Sequence, residues 1–166
     1  MSVTPPAIQI PIIWGGISDT TKGAKKITAA LRAAVMRGLT RAIRDTITYA
    51  EQIVTESIER EPPYPLSYES EAMLDSYITE LRKELRNIKR QSHNLTPVIT
   101  IQQKWPASYT KYVNEMVGVR WSKAGAESHF IEKLSGFLCR VAFEHVLAEI
   151  KRSEILTLEA SKYMGT

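Results

Sequence analysis

From Thr21 to Glu59 the chain places Ile27, Leu31, Val35, Leu39, Ala42/Ile43, Thr46/Ile47, Ala50, Val54 and Ile58 on one stripe, with Arg32, Arg37, Arg41, Arg44 and Glu51 between them. A three-to-four spacing predicts an amphipathic helix, on the order of 50 Å long at 1.5 Å per residue. That is longer than a small domain is wide, so the helix should serve as a spine for its own sheet and also reach a neighbour. Gly38 in its middle either softens the helix or lets another backbone come close. The run "EREPPYPLSY", Glu59 to Tyr68, ends it, because each residue before a proline is pushed out of the helical region.

A second helical pattern follows in "SYESEAMLDSYITELRKELRNIKRQSH", with Leu74, Ile78 or Tyr77, Leu81, Leu85 and Ile88 in phase, although "SYITEL" also fits a short strand. "TPVITIQQ", Thr96 to Gln103, is the clearest strand, its Val98, Ile99, Thr100 and Ile101 all β-branched, and Trp105-Pro106 closes it. After the stretch Ala107 to Leu134, the positions Phe130, Leu134, Phe137/Leu138, Val141, His145/Val146, Ala148 and Ile150 trace a broad apolar face, predicting a long terminal helix with Ser128 as its N-cap. Residues 1 to 20 hold three of the eight prolines around Ile8, Ile10, Ile12, Ile13 and Trp14. Proline removes ladder donors, so this segment reads as an extended arm or edge strand. The arm either folds back on its own domain or lies on a neighbouring subunit. The order of elements predicts an α+β domain over residues 21–166, with long N- and C-terminal helices packed on a small antiparallel sheet and the arm of residues 1–20 before it. There is no internal repeat.

A length of 166 residues suits one domain, and hydrophobic and charged shares of 43% and 24% are ordinary for a soluble protein. No apolar run approaches the roughly 18 residues of a spanning helix, and the proline-bearing start lacks the basic opening of a signal peptide, so the chain is expected in a cytoplasm and away from membranes. A net charge of +4 permits an acidic partner without demanding one.

Candidate chemistry is sparse. The single Cys139 excludes an internal disulfide and a cysteine-based zinc site, and it sits on the apolar face of the last helix, where packing outranks nucleophilic catalysis. His145 and Glu149 lie four apart on that helix, but two ligands without a third make a weak metal site, and a histidine satisfied at the core edge explains His145 better. "WGGIS" lacks the Lys-Ser/Thr ending of a phosphate loop, and neither G-x-S-x-G nor H-E-x-x-H occurs. Glu69, Glu71 and Asp75 read as the solvated first turn of a helix. The expectation is therefore no catalytic residues, no metal and no cofactor, with a hydrolase or nuclease acting through His145 or those carboxylates the remotest reading. Arg82, Lys83, Arg86, Lys89 and Arg90 stand against one glutamate in "LRKELRNIKR" and form a possible face for DNA or an acidic partner, or a solvated helix surface.

"ASYTKYVNEMVGVRW", followed by "GAESHFIEKL" and the long terminal helix, resembles the C-terminal half of a family of tailed-bacteriophage neck proteins, the head-tail joining or tail-completion proteins. The matching positions are Tyr109, Tyr112, Val113, Glu115, Gly125, Phe130 and Ile131, and the likeness covers about residues 96 to 150. Asn114 stands where many relatives carry a histidine, and Glu127-Ser128 where they carry a proline. The resemblance implies a structural virion protein that forms a ring, most often a hexamer, in the neck around the DNA channel. Its expected partners are other copies of itself, head-side connector or portal-adaptor proteins, tail-tube or tail-terminator proteins, and the packaged DNA passing through. Together with the arm and the aromatics, it makes Ile10, Ile12, Trp14, Trp105, Tyr109, Tyr112, Glu115 and Trp121 candidates for a subunit or partner interface, core packing being the alternative for the aromatics. The competing function is a small DNA-binding or packaging accessory protein using the basic helix.

Overall fold

The computed structural model describes residues 2–12, 14, 22–54, 69–115, 117 and 125–153, with side chains described from residue 25 in the first helix and residue 73 in the second. In chain order the elements are β1 (Ile8–Pro11), α1 (Lys22–Ile53), α2 (Glu69–His93), β2 (Val98–Ile101), a short α3 (Thr110–Asn114) and α4 (Phe130–Arg152). The fold is α+β, with long helices packed against a two-stranded antiparallel sheet. No helix among the described residues is long and apolar enough to cross a membrane.

Both strands obey a period of two. Ile8 and Ile10 of β1 pair with Ile101 and Ile99 of β2 and face the core, while Gln9, Pro11 and Val98 face out. The described part of the arm is stitched to its own chain. Val3 and Trp105 exchange backbone hydrogen bonds at 3.0 and 2.9 Å, the Ile12 amide donates to the Pro97 carbonyl at 2.8 Å, and Trp14 Nε1 donates to the Thr96 carbonyl at 2.9 Å. Of the two readings of the arm, it is the folded-back one that the chain adopts.

A two-stranded sheet is marginal alone and must be covered. α2 does this on the outer edge of β2. Gln91 grips Thr100 with both ends of its amide, Nε2 donating to the Thr100 carbonyl at 2.9 Å and Oε1 accepting from the Thr100 amide at 2.8 Å. One stride further, Glu84 Oε2 accepts from the Gln102 amide at 3.2 Å. Under the sheet Tyr77 stacks on Trp105 with ring centroids 3.8 Å apart, and Phe130 closes on the same indole at 5.1 Å. The buried Tyr77 hydroxyl donates to Gln103 Oε1 at 2.6 Å, and Gln103 Nε2 donates onward to Ser135 Oγ at 2.9 Å, so this polar chain crosses the core with its groups satisfied. Burial raises the Tyr77 pKa well beyond the ordinary phenol value and keeps the hydroxyl a donor.

The largest contact is between α1 and α4. They run antiparallel, and at Gly38 the backbones nearly touch: a Cβ there would sit 2.7 Å from both the Val146 N and Cα. Of the two sequence readings of Gly38, close approach is the one realised. Asp45 Oδ2 and His145 Nε2, 2.6 Å apart, fix the register beside it.

Gly38→Ala therefore forces the helices apart. It should cost about 1–3 kcal/mol in urea unfolding despite alanine's better helix propensity. Gly136→Ala on α4, where an added Cβ meets nothing within 4 Å, should stabilise by about 0.5–1 kcal/mol.

Candidate functional site

The stretch Ala107 to Leu134 forms a junction between α3, a glycine-bearing loop and the start of α4. α3 is a helical turn: the Thr110 hydroxyl and amide both bond the Ala107 carbonyl, at 2.8 and 3.2 Å, to start it. Val113 points into the core, and Asn114 is buried at 4% exposure.

Asn114 organises the junction. Its carbonyl accepts the His129 amide at 2.8 Å, and its Oδ1 accepts the Ile131 amide at 2.9 Å, taking one of the free N–H groups at the α4 N-terminus. Its Nδ2 donates to the Glu132 carboxylate at 3.1 and 3.3 Å, in the first turn of α4, where negative charge meets the helix dipole favourably. Ser128 is not the cap. The chain enters α4 through His129 at φ 56°, a left-handed conformation unusual for a residue with a side chain. Ser128 thus lies one residue outside the cap position, and the acceptor comes from α3 instead. Gly125, at φ +86°, turns the loop back so that the Glu127 amide donates to the Ile53 carbonyl at 2.9 Å, satisfying an end of α1. Glu127 also pairs with Lys133.

The candidate interface residues divide. Ile10, Ile12, Trp14 and Trp105 are buried in this chain's own core and leave no surface for a neighbour; alternate positions of β1 seat the arm on β2. Tyr109 is half-buried against that core. Tyr112 is 67% exposed and Glu115 is exposed beside it. Trp121 lies outside the described residues. Val117 is exposed as well, at 70%. A second apolar surface, not singled out in the sequence, is Phe143 and Leu147 on α4, 40% and 53% exposed and one helical turn apart. Their four-residue spacing is legible, but they merge there with the broad apolar face of the helix.

Arg82, Lys83, Arg86, Lys89 and Arg90 are all exposed on α2. Lys83 pairs with Glu80 at 2.6 Å. Asp75 is exposed but lies in the second turn of α2, and the side chains of Glu69 and Glu71 lie outside the described residues.

The titratable residues of α4 are committed to structure. His145 joins Asp45, and among the described residues its ring bonds no hydroxyl or thiol. Glu149, buried, accepts Arg37 Nε at 2.8 Å and lies 3.1 Å from Arg41 and 3.6 Å from Arg152. The Arg37 hydrogen bond, aided by the charges of Arg41, Arg37 and Arg152, outweighs desolvation and holds its carboxyl below the usual range. Among the described residues no group of three or more His, Cys, Asp or Glu side chains could hold a metal ion. Scans against protein-family models, curated proteins and solved structures each return no match.

Asn114→Ala should cost about 1–2 kcal/mol in urea unfolding, as a lost cap does. Ser128→Ala should stay within about 0.5 kcal/mol of the parent. A depressed folded pKa at Glu149 means that the unfolded chain binds more protons in the acid range. The stabilisation it provides is present above the ordinary value of 4.5 and is lost as pH falls through the lower folded value. Thermal melts across the acid limb should show Glu149→Gln less stable than the parent near neutrality, with the difference shrinking once pH drops below 4.5.

Proposed function

We propose that this chain is a non-enzymatic structural subunit of a tailed-bacteriophage neck, assembling as a ring that joins the head-side connector or portal adaptor to the tail-tube or tail-terminator proteins around the path of the packaged DNA. The observation that carries this reading is a pair of separate apolar surfaces, Tyr112 with Val117 beside α3 and Phe143 with Leu147 on α4. A ring is built from heterologous contacts, in which two different patches on every subunit complement each other, and this pair of surfaces supports such an arrangement. Phe143 lies 13 residues into a helix that starts at Phe130, about 20 Å along its axis from the end that Asn114 of α3 caps. The commitment of His145 and Glu149 to ion pairs supports the non-enzymatic part. The sequence resemblance over residues 96 to 150 supplies the neck itself, with a ring of about six copies in the virion.

A second reading, a small DNA-binding or packaging accessory protein, draws on the exposed basic row of α2. It predicts affinity for duplex DNA that falls steeply with salt.

Sedimentation should show the full chain forming oligomers at high concentration, or assembling on purified connector or tail components. Phe143→Asp/Leu147→Asp and, separately, Tyr112→Asp should return it to monomer with an unchanged circular dichroism spectrum. A parent chain that stays monomeric and binds neither component overturns the ring reading.

A further inference from the structure

Between α1 and α2 runs a groove of about 640 Å³, a volume typical of binding sites. Its floor is Ala29, Ala33 and Met36 of α1, and Arg86, Lys89, Arg90 and His93 of α2 stand along its rim. Arg32 lies across one end, where its Nε and Nη2 donate to the Ser92 and His93 carbonyls at 3.2 and 3.0 Å and close the C-terminus of α2. No carboxylate among the described residues lines the groove. Among the described residues Arg86, Lys89 and Arg90 make no ion pair and are exposed. Ser92 also lines it; the residue is 2% exposed, and its Oγ has no hydrogen-bond partner. A buried hydroxyl left in that state is costly until something supplies a partner.

We propose that this groove docks an acidic amphipathic helix of a partner protein. The floor residues Ala29, Ala33 and Met36 span two turns of α1, about 10 Å. The two alanines let an incoming helix approach closely, and the methionine adapts to its apolar side chains. Leucine-sized residues at i, i+3, i+4 and i+7 fit that strip, which places the glutamates or aspartates beside them against the α2 rim. Ser92 Oγ then meets a polar group of the occupant.

Other occupants fit less well. A nucleic-acid backbone gains nothing from an alanine and methionine floor, and among the described residues no aromatic side chain lines the groove for a base to stack on. A second copy of this chain would bring the Phe143 and Leu147 surface, which is flanked by Arg140 and Lys151 as well as Glu144 and so sets like charges against the rim. The inference goes beyond the ring reading and does not depend on it.

The test is fluorescence anisotropy with the full chain and three labelled probes: a peptide of about 14 residues carrying that leucine and glutamate pattern, the same composition scrambled, and a duplex of about 20 base pairs. At about 150 mM salt the patterned peptide should bind at least tenfold more tightly than either other probe. Arg86→Glu/Lys89→Glu should weaken it roughly tenfold. Ala33→Leu, which fills the floor without changing charge, should weaken it as well. Circular dichroism of each variant should match the parent. Equal affinity for the scrambled peptide, preference for the duplex, or no binding of the patterned peptide each overturns the proposal.

Discussion

Helices α1 and α4 approach so closely at Gly38 and Val146 that only a hydrogen atom fits between them, and the rest of the fold is arranged around that contact. Close backbones shorten the reach of the flanking side chains, which is why polar groups on the two helices can meet: Asp45 with His145, and Glu149 with Arg37 and Arg41. A carboxylate as buried as that of Glu149 is tolerable only when its partners are held in place. The ion pairs therefore follow from the packing more than they cause it. Once the pair is fixed, its remaining faces define where β1, β2 and α2 settle.

The junction at Asn114 ties the ends of this helix pair together. The loop after Gly125 satisfies α1 at Ile53, and α3 satisfies α4 at Ile131, so two helix ends are completed within one short segment. The inner side of the segment is spent on these tasks and on burying Val113. Its outer side leaves Tyr112 and Val117 in solvent. Among the described residues of this stretch, Asn114 and Glu132 thus serve a helix terminus and Tyr112 the surface.

The parts of the fold with strong local periodicity were legible in the sequence. α1, α2 and α4 follow the apolar stripes, and β2 follows its β-branched run. The parts that depend on distant partners were not. Alternating isoleucines show that the arm is extended but not what covers it, and the Trp14 bond to the Thr96 carbonyl crosses 82 positions. Asn114 caps a helix 17 positions away, whereas sequence rules look for a cap next to the first turn and so favour Ser128. The groove floor was invisible for another reason: Ala29 and Ala33 carry too little apolar weight to mark a face. The basic rim was legible, since its charges share one side of α2.

The grip of Gln91 on Thr100 has a consequence beyond anchoring α2. The backbone groups that a strand from another molecule would need on the free side of β2 are already occupied, by Gln91 at Thr100 and by Glu84 at Gln102. On the far side of the sheet, Pro11 offers no N–H. Both features work against sheet growth from molecule to molecule, the route to fibres.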